Sequence, residues 1–231
     1  MKELFTLTLL LFSIFCNAQT LQKRETGSFS GISASSGIIV EITQGAEENI
    51  LVKSSNDNYT EKIKTVVEDG VLKIFFDNTN WKTGQDKNLK LQAFVTFKLI
   101  NRIVVGSGAR LNSTNTTISP KLNVALSSGA QFSGDIKTEE LELLQNSGAV
   151  SKITGSATTV NAVFSSGAVC TSPNLFVEIL NFDASSGAVM KVSVNSKISA
   201  KLGSGALLSY KGGAVVKKRL RSGGHVRKFI A

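Results

Sequence analysis

The 231 residues suffice for one large domain or two small ones, and 42% hydrophobic against 19% charged residues is the composition of a folded chain, not a disordered one. The formal net charge is +9, and only 2 prolines accompany 20 glycines, so bends are expected where glycine adopts special backbone angles rather than in proline-rich linkers. Beyond the N-terminus no apolar stretch approaches the roughly 20 residues that a membrane-spanning helix needs.

The chain opens with Met1-Lys2-Glu3 and an apolar run from Leu4 to Phe15, too short to cross a bilayer. Cys16 and Ala18 then place small residues where a secretory cleavage site wants them. Residues 1–18 therefore read as a signal peptide, with the exported chain beginning at Gln19. Bulky Phe15 argues against lipid attachment at Cys16. Cys170 is then the single cysteine left, so no intrachain disulfide forms and stability must come from packing.

Residues 19–105 read as strands without a regular period. Ile38, Val40 and Ile42 alternate with polar neighbours, Asp69-Gly70 joins two apolar runs as a hairpin would, and Leu89 to Leu99 alternates throughout. This part is expected to form irregular first coils or a β-layer that seals the N-terminal end of a stack of repeats, because an uncapped sheet edge invites aggregation.

From residue 106 to 231 the sequence repeats. Ser-Gly-Ala recurs with its glycine at Gly108, Gly129, Gly148, Gly167, Gly187 and Gly205, and Gly223 continues the series. Counting back from Gly129, Gly148, Gly167, Gly187 and Gly205, the seventh residue is always apolar (Leu122, Leu141, Val160, Leu180, Ile198). The fifth is too (Val124, Leu143, Ala162, Phe182, Ala200), and so is the third except at Gln145 (Leu126, Phe164, Ala184, Leu202). The sixth is always polar (Asn123, Glu142, Asn161, Asn181, Ser199), which is the period of two of a strand with one buried face. After the glycine, the alanine and Phe132, Ser151, Cys170, Met190 and Leu208 share the inward parity. A unit of about 20 residues made of strand, glycine corner, strand and return loop cannot bury its own apolar face and must stack on its neighbours. The fold class is thus all-β: a right-handed parallel β-helix, or solenoid, with an irregular β N-terminal part. The alternative of a phosphate-cradling loop at the glycines lacks both the helix and the Lys-Ser/Thr it requires.

Charge is uneven. After Asp183 there is no acidic residue, whereas Lys211, Lys217, Lys218, Arg219, Arg221, Arg227 and Lys228 crowd the C-terminus, and these are the candidate residues for an anionic partner. A solubilising cap on the last coil is the competing reading. Catalytic chemistry is sparse: with His225 the one histidine, a His-based triad and a multi-His metal site are excluded, and no cofactor is expected. A solenoid-type polysaccharide lyase or hydrolase would have to draw on the scattered carboxylates, with Glu178, Asp183 and Lys201 as the nearest approach to a set. Nucleic acid is a poor partner for an exported chain with few interleaved aromatics.

Phe29-Ser30-Gly31-Ile32, Ser36-Gly37 and Val40-Glu41-Ile42-Thr43-Gln44-Gly45, together with the Ser-Ser-Gly-Ala repeats and the basic tail, resemble the head GIN domain family of exported bacterial β-helix proteins, labelled putative auto-transporter adhesins. The resemblance covers roughly Phe29 to the C-terminus and implies the fold, not an activity. It implies a non-enzymatic envelope-associated or secreted binding module in the periplasm, on the outer surface or outside the cell. The flat β-faces, with their repeated Ser, Asn and Lys side chains, and the basic end make glycans or anionic envelope polymers the expected partners.

Overall fold

The structure is a computed structural model and describes residues 21–79 and 88–230; the signal-peptide segment lies outside them. Parallel strands stack into a β-solenoid of about 7 turns.

The corner that sets the coil is a two-residue reversal at Ser-Gly. In Ser107-Gly108, Ser128-Gly129, Ser147-Gly148, Ser166-Gly167, Ser186-Gly187 and Ser204-Gly205, both residues have positive φ, near 50° at the serine and near 70° at the glycine. The next residue's N–H closes the turn, as Ala130 N donates to the Ser127 carbonyl at 3.0 Å and Ala149 N to that of Asn146 at 3.1 Å. Positive φ at both central positions with this closing bond defines a type I′ turn. The corners form one row: Gly108 N donates to Ser128 O, Gly129 N to Ser147 O and Gly148 N to Ser166 O, each at 3.0 Å, and the series runs on to Gly205 N and Ser222 O.

Register between coils matches the repeat residue by residue. Leu122 pairs Leu141, Leu141 pairs Val160, Val160 pairs Leu180 and Leu180 pairs Ile198. Every position assigned inward from the sequence is buried, including Gln145 at 1% and Cys170 at 0% exposure. Phe164 and Phe182 meet edge to face with ring centroids 5.2 Å apart. Gln145 is the polar exception in the column: it accepts from Ser151 Oγ at 3.1 Å, and its Nε2 has no partner. The return segments absorb differences in coil length through register shifts, between Ser151 and Gly155 in one coil and between Ser172 and Phe176 in the next.

The N-terminal part holds both a coil and a cap. Gly31–Ala34 pairs in parallel with Arg102–Val105, and Ile39–Gln44 with Arg110–Ser113, while Gly37 N donates to Ser107 O at 3.0 Å. A coil with the same Ser-Gly corner, at φ 60° and 70°, therefore precedes the point near residue 105 where the sequence repeat becomes regular. Between them, residues 45–79 and 88–101 cover the outer end of the stack. Val71–Phe76 and Leu91–Phe97 add parallel strands on the outer side of this first coil. Asn49–Ser54 then lies antiparallel on Leu91–Phe97, Ile63–Glu68 on Val71–Phe76 through the Asp69-Gly70 hairpin, and Gln22–Arg24 on Asn49–Ser54. The opposite end has no such cover among the described residues: Val215–Leu220 pairs only with Val189–Leu202, and His225–Lys228 only with Leu207–Lys211.

Three substitutions test this frame. Phe164→Ala should lower unfolding free energy by about 3–5 kcal/mol through lost transfer energy and a cavity, read by denaturant titration; an unchanged midpoint would place Phe164 outside the core. Gly148 has open space where a Cβ would stand, so Gly148→Ala should cost only the left-handed penalty of about 1–2 kcal/mol. Gly155, at φ 100°, would set a Cβ 2.0 Å from the Ile136 carbonyl oxygen, and Gly155→Ala should cost clearly more in the same assay.

Candidate functional site

Stacking in register lines up the outward residues as strictly as the inward ones. One outward column on the face before the corners runs Arg102, Asn123, Glu142, Asn161, Asn181, Ser199 and Lys217. Two residues along each strand, a second column runs Val104, Ala125, Leu144, Val163, Asp183, Lys201 and Arg219. The pleat leaves a trough between them, with hollows of about 300 Å³ at Asn123 and Leu144 and about 380 Å³ at Asn161, Asn181 and Val163.

The two walls differ chemically. On the first, Asn181 Nδ2 donates to Asn161 Oδ1 at 2.9 Å and Asn161 Nδ2 to Glu140 Oε1 at 3.3 Å, so the amides are held in a chain along the axis. Lys121 pairs Glu142 at 3.0 Å and Glu140 at 3.4 Å beside it. On the second, Leu144 and Val163 remain 49% and 53% exposed, an apolar strip on the outside of the solenoid. Toward the C-terminus this strip gives way to charge, where Asp183, Lys201, Arg219 and Arg221 line a hollow of about 290 Å³.

The cationic residues singled out from the sequence divide among several places. Lys217, Arg219 and Arg221 join Lys201 at the C-terminal end of the trough face. Lys218 takes the register position of buried Ala200, and Lys228 that of half-buried Tyr210, so both continue interior columns yet stay exposed because no coil covers them. Arg227 Nε donates to Ser209 Oγ at 2.8 Å on the opposite face, where Lys191 Nζ stands 4.3 Å over the Phe229 ring. Lys211 is half-buried and pairs Ser193 at the end of its strand. None of these seven cations makes an ion pair among the described residues.

The set considered for polysaccharide cleavage is split. Asp183 and Lys201 are register neighbours, but Glu178 borders a separate hollow with Ile118 and Phe176. Both of its carboxylate oxygens are engaged, by Ser196 Oγ at 2.5 Å and Asn195 Nδ2 at 3.1 Å, and these bonds hold its pKa below the usual glutamate value. Burial pushes the Cys170 thiol up, as suits a core residue in contact with Ser172 Oγ at 3.2 Å. Among the described residues no three His, Cys, Asp or Glu side chains gather as a metal site would require, and no helix is long and apolar enough to cross a membrane.

Coils with an apolar interior and ordered side-chain columns along flat faces define a β-solenoid display scaffold. The chain belongs to the family described as "Putative auto-transporter adhesin, head GIN domain", whose profile matches residues 28–214. The match thus begins at the first coil and stops before Val215–Leu220, so of the seven cations only Lys211 lies within it. No curated protein sequence matches significantly. Among solved structures, one described as a putative adhesin from Bacteroides fragilis superposes with a TM-score of 0.81 at 15% identity, covering 92% of this chain and 96% of that one. A putative adhesin from Parabacteroides merdae gives 0.70 at 15% identity, with 93% and 98% covered. A structure described as a putative lipid binding protein from Parabacteroides distasonis gives 0.70 at 13%, again with 93% and 98% covered. At these identities the likeness is one of fold.

Glu178 offers a direct check on its surroundings. Since its folded pKa lies below the unfolded one, its contribution to stability is complete above the unfolded pKa and is lost as pH falls through the folded pKa. Carboxyl NMR titration should give a folded midpoint below that of the denatured chain, and Ser196→Ala should move it upward; a midpoint indifferent to the substitution would remove the assigned cause.

Proposed function

We propose that this protein is an exported, non-enzymatic binding module of the adhesin class, which attaches to anionic polymers or glycans of the cell envelope through its cationic C-terminal end. The observation that carries this reading is the accumulation of ten Lys and Arg after Asp183 with no acidic residue among them, around an end of the solenoid that no further described strand covers. Fields of like charges add where no carboxylate intervenes, so this end attracts polyanions over a distance. Family membership supports the adhesin class and an address outside the cytoplasm, as does the signal-like N-terminus. The fold relative described as a lipid binding protein makes anionic headgroups a partner to test beside acidic polysaccharide.

The same cations also protect the end itself. Lys218 and Lys228 at interior register positions put charge where another strand would dock, a device that discourages edge pairing. The two roles are compatible, but only the first makes a prediction about ligands. Because charge is screened over about 8 Å at physiological ionic strength, affinity for phosphatidylglycerol vesicles and for polygalacturonate should fall steeply with salt. Replacing Lys217, Lys218, Arg219 and Arg221 together by Gln should remove most of that salt-dependent part, while stability changes by less than about 0.5 kcal/mol per exposed site. Affinities that stay constant with salt, or in the fourfold variant, would leave these residues as a solvated cap alone.

A further inference from the structure

We propose that the trough between the Asn123–Asn161–Asn181 column and the Leu144–Val163 column is the seat of a linear acidic polysaccharide lying along the solenoid axis, its carboxylates drawn toward Lys201 and Arg219. This rests on the polyanion reading above and assigns it a ligand class, a place and a direction. Four observations converge on it.

The first is shape. The trough crosses the strands at right angles and extends over the six coils from Arg102 to Ser199, or about 24 Å at roughly 4.8 Å per coil. An extended pyranose chain advances by nearly one such spacing per ring, so each sugar meets the pair of outward side chains of one coil. The second is the contrast between the walls. A pyranose has an apolar C–H face and a rim of hydroxyls; Leu144 and Val163, half exposed, suit the face, and the amides suit the rim.

The third is the state of those amides. Asn181 and Asn161 are fixed by their mutual hydrogen bond, so little side-chain freedom is lost when a ligand binds. The Asn181 side-chain carbonyl oxygen and the second amide proton of each side chain stay available to hydroxyls. The fourth is charge. The trough opens at its C-terminal end onto Lys201, Arg219 and Lys217, none of them in an ion pair among the described residues, with Asp183 beside them; farther along, Glu142 stands in the same wall as Asn123 and Asn161 and is neutralised by its ion pair with Lys121. A neutral glycan would gain nothing from that end, and a flat lipid surface does not fit a trough between two rows of side chains.

Oligogalacturonates of defined length, with cello-oligomers as neutral controls and phosphatidylglycerol vesicles as a second polyanion, provide the test by calorimetry on the mature chain. Affinity for oligogalacturonate should rise with length to roughly six rings, one per coil, and then level off, and part of it should persist at high salt because it is not purely ionic. Val163→Glu, a substitution at an exposed outward position, should weaken oligogalacturonate binding by about tenfold or more through like-charge repulsion. Asn181→Ala, which removes hydrogen bonds without adding charge, should weaken it less but in the same direction. Vesicle binding should stay unchanged in both variants, and circular dichroism melts confirm that they fold. Unaltered oligogalacturonate affinity in both would overturn the trough assignment, as would equal affinity for dimer and hexamer. If at the same time the fourfold C-terminal variant loses all binding, the cationic end alone is the site; if neither set has an effect, both assignments fall.

Discussion

Two consecutive residues with left-handed backbone angles at each corner are the constraint on which the solenoid depends. A single coil gains almost nothing from such a turn, because positive φ at serine costs about 1–2 kcal/mol and the coil's apolar face is still wet. Stacking changes this: the glycine N–H reaches the serine carbonyl of the next coil, and the alanine beyond it is buried at 0% exposure in coil after coil. Open space around the would-be Cβ of Gly108, Gly129, Gly148, Gly167, Gly187 and Gly205 shows that glycine is there for backbone angle and not for lack of room.

From that fixed row the outer faces arise without further specification. A strand anchored at its corner has its parity set, so the residues six and four before each glycine fall into straight columns whatever their chemistry. The burial rule therefore does not reach those columns, and here they hold amides on one groove wall, Leu144 and Val163 on the other, and cations toward the last coil. Irregularity is confined to the return segments, where the register shifts and Gly155 allows a carbonyl to approach.

The interior of the regular coils was legible in the sequence because burial imposes a rule on it: Leu122, Leu143 and Phe164 are apolar at their parity for the same reason they are buried. The Asp69-Gly70 hairpin was legible for its turn chemistry. The trough was not, since outward positions obey no hydrophobic rule; the signal available was Leu144 and Val163 at outward parity, apolar where solvent was expected. The first coil was hidden by distance: Ser36-Gly37 precedes Ile38 in place of alanine, and its partner corner comes only at Ser107. The basic end was visible as a count of charges, whereas its division between two faces and the interior columns required the register of the final strands.

The excursion of residues 45–101 between two stacked coils also bears on the order in which the molecule assembles. From Arg102 onward each coil meets its neighbour about 20 residues away, so these turns can nucleate and grow by local contacts. Gly31–Ala34 and Ile39–Gln44 emerge first during synthesis yet have no strand on their inner side until Arg102–Val105 and Arg110–Ser113 arrive. Joining them closes a much longer loop, which costs entropy before any contact returns it. By loop-closure entropy alone, the first coil is thus expected to complete its stacking after the coils from Arg102 onward, so that the chain's leading strands are the last to gain a neighbour on both sides.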